Sequence, residues 1–443
     1  MIARLDPSPW IARPADLRPP LHGDVTADVA IVGAGYTGLC AALALRRAGA
    51  RVVVLEREFA GFGASGRNAG HLTPTIGKDL PTLHMLFGAS RAAQLVKFAE
   101  EAIACVETLI REHRIECDYQ PAGNVMAAVH PAQERRLRRA AEVAARMGAH
   151  VEFLDAAEMR RRQLPPAFIA GAFEGRGGTL HPGKYVSGLR RAALAADVVL
   201  HEGTAVQEVL EGPRPRLRTD HGTVTADAVV LATNAYTVEM GRMRSAIVPL
   251  HVTLFETAPL DAAQRDALGW PGREGIYTAH ESLESYRLSA HGTIVGGSKA
   301  VRYAYGGAIA GDSTERTIAA NLRAFRERFP QLADLPVAHT WGGWIAMTLN
   351  TLPALAATGA HGNLHYALGY NGHGVAAASA LGGAVADAVL RRPNPVADRL
   401  RPFAVPLPPE PLRWLLVRGI LGVVNAVDRR IDAKVRRAAA RQG

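Results

Sequence analysis

Three glycines and one glutamate define the first chemistry open to this chain. Gly33-Ala34-Gly35-Tyr36-Thr37-Gly38 lies between an apolar run and a helical run, and Glu56 ends the next apolar run. In that setting Gly33 permits a tight turn, Gly35 lets a pyrophosphate approach the backbone, and Gly38 lets helix and strand close together. Free N–H groups at the helix start, around Tyr36 and Thr37, and the positive end of the helix dipole favour bound phosphates. Glu56, followed by Arg57, is placed to accept hydrogen bonds from adenosine ribose hydroxyls, and its charge disfavours the 2′-phosphate of NADP. The turn alone does not separate NAD from FAD, and a glycine turn without a ligand is its bland alternative.

Two further glycine-rich stretches lie far apart in the chain. Gly61-Phe62-Gly63-Ala64-Ser65-Gly66-Arg67-Asn68-Ala69-Gly70-His71 follows the second strand directly. Gly369-Tyr370-Asn371-Gly372-His373-Gly374-Val375 opens a helix, which makes it an anion site by geometry. A flexible loop and a plain N-terminal cap are the competing readings. A dinucleotide needs contacts at both ends, so the two distant loops support each other.

The elements that would hold these residues follow from hydrophobic period. Val29–Val32 reads as a buried strand, Leu39–Ala48 as a helix closed by Gly49, and Arg51–Glu56 as a second strand. Together they form one βαβ unit of a parallel sheet. Residues 81–162 read as mainly helical and charge-rich, with the arginines at 135, 136, 138, 139 and 160–162 on solvated faces. Val198–Val209, Thr223–Ala232, Ile247–Thr257 and Tyr286–Gly296 read as strands. Ile318–Phe329 and Ala376–Leu390 read as helices, the second rich in small residues and therefore tightly packed. No internal repeat occurs, which excludes a solenoid.

At 443 residues the chain exceeds one compact core, so two domains or an interleaved pair is expected. Hydrophobic residues at 48% and charged residues at 21% argue against wholesale disorder. Cys40, Cys105 and Cys117 have neither metal-ligand nor redox spacing, so no metal site and a reducing compartment are expected. No signal-peptide pattern and no spanning run of apolar residues appear, giving a cytoplasmic protein as the expectation. The net charge of +10 is concentrated after residue 390, which argues against a nucleic-acid surface on the body.

With the βαβ unit before it, the Gly61–His71 segment resembles the D-amino-acid-oxidase-like superfamily of flavoproteins, which includes sarcosine, glycine and dimethylglycine oxidases. Its wording is most similar to the γ-glutamylputrescine oxidoreductase branch. The resemblance spans residues 25–405, tightly in the cofactor segments and loosely elsewhere. It implies an α/β fold: a Rossmann-like FAD-binding domain interleaved with an α+β substrate domain built on an antiparallel sheet. The FAD domain would comprise 25–78, 176–240 and 340–395, and the substrate domain 79–175 and 241–339. An N-terminal arm (1–24) and a basic helical tail (396–443) complete the chain.

The same resemblance assigns cofactor contacts. Gly63, Ala64 and Ser65 would meet the pyrophosphate, while Arg67, Asn68, Ala69 and Gly70 would lie near the isoalloxazine. Val206 falls where a backbone contact to adenine is usual, and Ala232-Thr233-Asn234 where a strand ends near the cofactor. Gly343, within Trp341-Gly-Gly-Trp344, belongs to the last approach to the flavin. Gly369, Asn371, Gly372, His373, Gly374 and Val375 would flank the pyrimidine edge, where N–H groups stabilise charge arriving on reduction. Relatives with covalent flavin carry His or Cys where this chain has Arg67 and Gly342-Gly343, so non-covalent FAD is expected. Asn350 replaces an aspartate common before the Leu352-Pro353 pair.

Family members mostly oxidise a C–H next to an amine by hydride transfer to flavin N5, leaving an imine that hydrolyses. That chemistry depends more on positioning than on one acid or base. His71, His251, Trp341, Asn371 and His373 are the candidates near the ring, with His373 favoured by its loop. Lys299 lies roughly where sarcosine oxidases place a lysine that promotes oxygen reduction; an exposed loop lysine is the alternative. Arg287 would clamp a substrate carboxylate bidentately if it faces inward.

Three functions stay open: an amine or amino-acid oxidase or dehydrogenase using O2 or another acceptor, a flavin dehydrogenase of a hydroxy acid, and a membrane-associated flavoprotein passing electrons to a quinone or carrier. Leu412–Val427 with the basic residues after it bears on the third, through peripheral contact at the inner membrane face. A terminal helix docked on the body is the competing reading.

Overall fold

The apolar runs of the sequence build two large sheets in the computed structural model, which describes residues 2–77, 79–400 and 405–441. Lys78 at the edge of the first cofactor segment, Met1 of the arm, and 401–404 and 442–443 of the tail lie outside the described residues.

The first sheet grows from the βαβ unit. Val25–Val32 pairs in parallel with Val52–Leu55, which pairs in parallel with Val199–His201. On the other side Thr223–Leu231 pairs in parallel with Val25–Val32 and, at its C-terminal end, with Leu364–Leu368. All four residues of Val52–Leu55 are buried, as a strand covered on both faces requires. The helices Tyr36–Arg47 and Gly374–Val389 lie together on one face of this sheet. A Cβ on Gly382 would come within 2.5 Å of Cys40 Cβ, so the small residues of the second helix are what let the pair approach.

The second sheet has nine strands, in the order Ala3–Leu5, Val337–Met347, Val248–Thr257, Ile294–Arg302, Ser285–Leu288, Gly275–Thr278, Asn124–Ala128, Ala170–Glu174 and Val151–Leu154. It is antiparallel apart from the first pair and the Gly275–Thr278/Asn124–Ala128 pair. An aromatic core of Phe168, Phe255, Trp270, Tyr286, Phe325 and Phe329 backs it. The fold is thus the mixed α/β architecture expected, a Rossmann-like sheet joined to a largely antiparallel one.

Three local expectations are corrected. The run 198–209 is two short strands, Val199–His201 and Glu208–Leu210, because buried Glu202 turns the chain. Its carboxylate accepts from Arg190, Ala60 N–H and Arg18 N–H, and Gly203 follows at φ +66°. The run 286–296 is a hairpin rather than one strand, turning at Gly292 (φ +71°), with Ser289 N–H donating to Thr293 O. Within 81–162, helices at Leu80–Glu112 (interrupted at Gly88), Pro131–Arg146 and Ala156–Arg161 alternate with two strands of the large sheet.

The C-terminal helix Leu412–Ala439 docks on the second sheet. Its two acidic residues, Asp428 and Asp432, are both buried against the body. Asp428 accepts the backbone N–H groups of Glu281 and Ser282 at 2.9 and 2.8 Å. Among the described residues no helix is long and apolar enough to cross a membrane.

Candidate cofactor and active site

A cavity of about 980 Å³ runs from the βαβ turn to the second sheet. At its first end Gly33 has φ +101°, a conformation glycine adopts without strain. A Cβ on Gly38 would stand 1.9 Å from Gly33 O, so only glycine lets the helix close on the turn. A Cβ on Gly35 would meet Ser65 Oγ at 2.8 Å. Ser65 Oγ accepts the Tyr36 N–H at 3.0 Å, at the start of a helix with no acid in its first turn and no capping side chain on Gly35. The helix beginning at Gly374 is uncapped by His373 in the same way and also carries no acid in its first turn. Two positive helix ends therefore meet one cavity, an arrangement suited to a pyrophosphate and to a reducible ring.

Glu56 Oε2 accepts Ala34 N–H at 2.8 Å and Oε1 accepts Glu58 N–H at 3.0 Å, leaving lone pairs for a ribose. Burial raises its pKa, and those two N–H bonds oppose the rise. Arg57 beside it pairs with Glu239 at 3.1 Å and lies over the Tyr236 ring. Val206, Ala232, Thr233 and Asn234 line the same end. Tyr236, within the same strand-end segment as Thr233 and Asn234, joins them, as do Thr204 and Glu239, which no motif signalled.

The Gly61–His71 loop is braced from within. Asn68 Nδ2 donates to Ser65 O at 2.9 Å and its Oδ1 accepts Gly70 N–H at 2.9 Å. Arg67 lines the cavity, yet its guanidinium is spent on Phe62 O, Gly342 O and Asp6 of the N-terminal arm. Trp341 does not reach the cavity; its Nε1 donates to Arg67 O at 2.8 Å. Asn371 staples the far loop, accepting Thr348 N–H and donating to Gly369 O. Gly63, Ala64, Ala69, Gly70, Gly343, Gly372, His373, Gly374 and Val375 line the cavity, whereas Gly38 and Gly369 act behind its surface.

The candidate catalytic residues divide. His71 and His373 line the cavity. Asn124 Nδ2 donates to Leu72 O, so Asn124 Oδ1 faces His71 Nδ1, which must donate to it. His71 Nε2 is left as a lone-pair acceptor, and burial lowers the imidazole pKa to about 4. His373 Nδ1 donates to Asn371 O.

Arg287, His251 and Lys299 are not brought to the cavity surface. Arg287 is buried against Trp10 and donates to Ala69 O, in space that Gly70 leaves open. Burial lowers its pKa to about 10. His251 packs on Trp344. Lys299 Nζ bonds Glu284 at 2.8 Å and Asp432 at 3.1 Å; burial opposes its charge, but these two carboxylates raise its pKa. Arg328 joins the same cluster, so His280, Glu284 and Asp432, which group like metal ligands, already hold two cations.

The model of the DAO family, FAD dependent oxidoreductases, matches residues 28–388. The chain belongs to that family. Among its relatives, the gamma-glutamylputrescine oxidoreductase of Escherichia coli (strain K12) is 30% identical over 83% of this chain and 84% of that protein. A probable oxidoreductase OrdL of Haemophilus influenzae is 29% identical over 84% of this chain and 85% of its own length. Among solved structures, glycine oxidase from Geobacillus kaustophilus superposes with a TM-score of 0.71 at 20% identity, covering 84% of this chain and 96% of that one. The chain is therefore an FAD-dependent oxidoreductase of the DAO family, and the glycine cradle of the cavity fits that cofactor.

Proposed function

We propose that this DAO-family enzyme oxidises the C–N bond of an amine. The observation that carries the reading is the cavity itself. One end is a phosphate and ribose cradle, the middle is flanked by the loops 67–71 and 369–375, and a neutral histidine faces the far side. Bound FAD supplies the acceptor for a hydride. Gly33, Gly35, Ser65 and Glu56 would hold its nucleotide part, and the uncapped helix start at Gly374 would favour negative charge near it. The substrate carbon loses a hydride and the nitrogen a proton, giving an imine that water splits to a carbonyl compound and an amine. His71 contributes a neutral ring to the cavity, its tautomer fixed by Asn124. With its pKa lowered to about 4 it is too weak a base to take an ammonium proton, so the amine reacts as the free base after losing that proton to solvent. The oxidation of gamma-glutamylputrescine implied by the name of one relative agrees with amine chemistry.

Anaerobic bleaching of the flavin tests the reading. Amines should bleach it; bleaching by hydroxy acids alone overturns the proposal in favour of a hydroxy-acid dehydrogenase. Readmitting air then separates an oxidase from a dehydrogenase by the speed at which colour returns. Acid precipitation should leave the flavin in the supernatant, since no cysteine lines the cavity among the described residues and Arg67 and Gly343 occupy the attachment regions.

A second reading concerns the outer face of the C-terminal helix. Leu412, Leu416, Val423 and Val427 are exposed along it, followed by exposed Arg430, Lys434 and Arg437 with no exposed acid between them. Such a surface suits peripheral contact with an anionic bilayer. Val423→Glu should abolish co-sedimentation with anionic vesicles; equal binding by wild type to anionic and zwitterionic vesicles removes the electrostatic part of the reading.

A further inference from the structure

The substrate half of the cavity differs chemically from the cofactor half. Val248, Leu250, Val252 and Leu254 are alternate residues of one strand, and all four line the cavity. Opposite them Val417, Ile420, Leu421 and Val424 form one stripe of the C-terminal helix, at the spacing that puts residues on a single face. Ile345 and Met347 extend the same apolar lining.

Cationic side chains are missing from this half. Among the described lining residues only Arg57 and Arg67 are Lys or Arg. Arg57 stands beside Glu56 at the nucleotide end and pairs with Glu239. Arg67 is held by Asp6 and two carbonyls. Arg287 lies behind Ala69. The one charged residue lining the substrate half, Glu281, is acidic, and its carboxylate meets Arg136. A carboxylate bound here would meet hydroxyls such as Tyr277 and Ser285 but no cation, and burying a charge without a countercharge is costly.

The helical wall is fixed in place. Asp428 holds the backbone of Glu281 and Ser282, two residues that line the cavity, and Asp432 is tied to Lys299 and Arg328. Ile420 both lines the cavity and stays 45% exposed, which puts the mouth at this helix.

We infer that the substrate is an amine with a long apolar arm and no carboxylate near the reacting carbon, and that the C-terminal helix is the wall that receives the arm. The inference rests on the amine reading above and narrows it. The arm lies between the 248–254 strand and the 417–424 stripe, and its end reaches the surface at Ile420.

The test uses the FAD-loaded enzyme. Alkyltrimethylammonium ions, whose nitrogen has no lone pair, and alkyl carboxylates are compared from butyl to decyl, with binding read from perturbation of the oxidised-flavin spectrum. KM is measured for the primary alkylamines of the same lengths. Dissociation constants of the cations and KM of the amines should fall about threefold to fourfold per methylene until the arm reaches the mouth. Carboxylates of equal length should bind at least about tenfold more weakly. A flat length dependence, or carboxylates binding as well as cations, overturns the inference even if amines bleach the flavin. A steep gradient with no amine oxidised preserves the pocket assignment and sinks the amine reading instead.

Two variants probe the wall. Leu421→Ser should shallow the gradient, and Val424→Phe, which adds no polar atom, should end it several methylenes earlier. A gradient unaltered in both shows that the helix does not receive the arm.

Discussion

The two ends of the cavity are built by different means. At the nucleotide end the recognition surface is mostly backbone: glycines whose missing Cβ atoms make room, helix N–H groups, and one glutamate held by the loop N–H groups of Ala34 and Glu58. At the substrate end it is side chains from five strands of the second sheet and from the C-terminal helix. A backbone cradle suits a ligand common to a whole family, because it tolerates no substitution at a few points and leaves the rest free. A side-chain wall suits a ligand that differs between members, because each lining position is exchanged independently.

The contrast predicts where damage is total and where it is graded. Gly38→Ala puts a methyl 1.9 Å from a backbone carbonyl that cannot swing away. FAD affinity should fall more than about a hundredfold, measured by titrating apoenzyme with FAD while circular dichroism follows the fold. Tight FAD binding by this variant would show that the turn is not the cradle.

Asp432→Ala acts at the other end. It leaves Lys299 paired with Glu284 and Arg328 with Glu284 and, at longer range, Glu327 in a buried site. A loss of about 3–5 kcal/mol of stability is expected, read by urea unfolding. KM for long-chain amines should rise more than KM for short ones, because the wall loosens. The pH window follows from the signs. Burial disfavours the charges of Glu284 and Asp432, but their cationic neighbours hold both pKa values below the ordinary ones. Their stabilisation is therefore complete above about pH 5 and is lost as pH falls through the unfolded and then the depressed values. Lys299 is raised, so its share is lost only as pH climbs through its elevated value.

Glu174 sharpens the comparison with Glu56. Burial lifts its pKa to about 7, outweighing the Tyr277 hydroxyl, and its Oε2 has no hydrogen-bond partner among the described residues. The folded state then keeps a proton that the unfolded chain releases near pH 4.5, so stability declines as pH rises from about 4.5 to about 7. Glu174→Gln should flatten that decline, by up to about 3 kcal/mol, in unfolding midpoints at pH 5 and pH 8. The smallest effect is expected for Glu56→Gln, which keeps the shape and loses the charge. FAD affinity should drop about tenfold, with no change in the amine chain-length gradient.

How much of this was legible beforehand follows the same division. Gly33, Gly35, Gly38, Glu56, Ser65 and Asn371 were readable because each belongs to a short glycine-rich or strand-end pattern, although Glu56, Ser65 and Asn371 meet backbone partners on other segments of the chain. The alternation over 248–254 was visible, but which face of that strand would meet a ligand was not. The stripe Val417, Ile420, Leu421 and Val424 was equally visible as helical spacing, yet it read as a docking or membrane face. Nothing local tells that its partner is a cavity. Lys299 and Arg287 looked like ligands for oxygen or a carboxylate, and their ion pairs and stacking partners come from elements distant in sequence.

The sequence by itself determined the dinucleotide turn and the α/β architecture, because these rest on backbone conformation and short-range period, and the resemblance of its second glycine loop to a known family pointed to FAD. Only the tertiary structure decided that an apolar stripe of the C-terminal helix lines the cavity and that Arg287 and Lys299, expected as catalytic cations, are buried away from its surface. Burial and charge pairing are properties of neighbours in space, and the neighbours of Asp432, Arg287 and Leu421 are set by how the second sheet closes on the first.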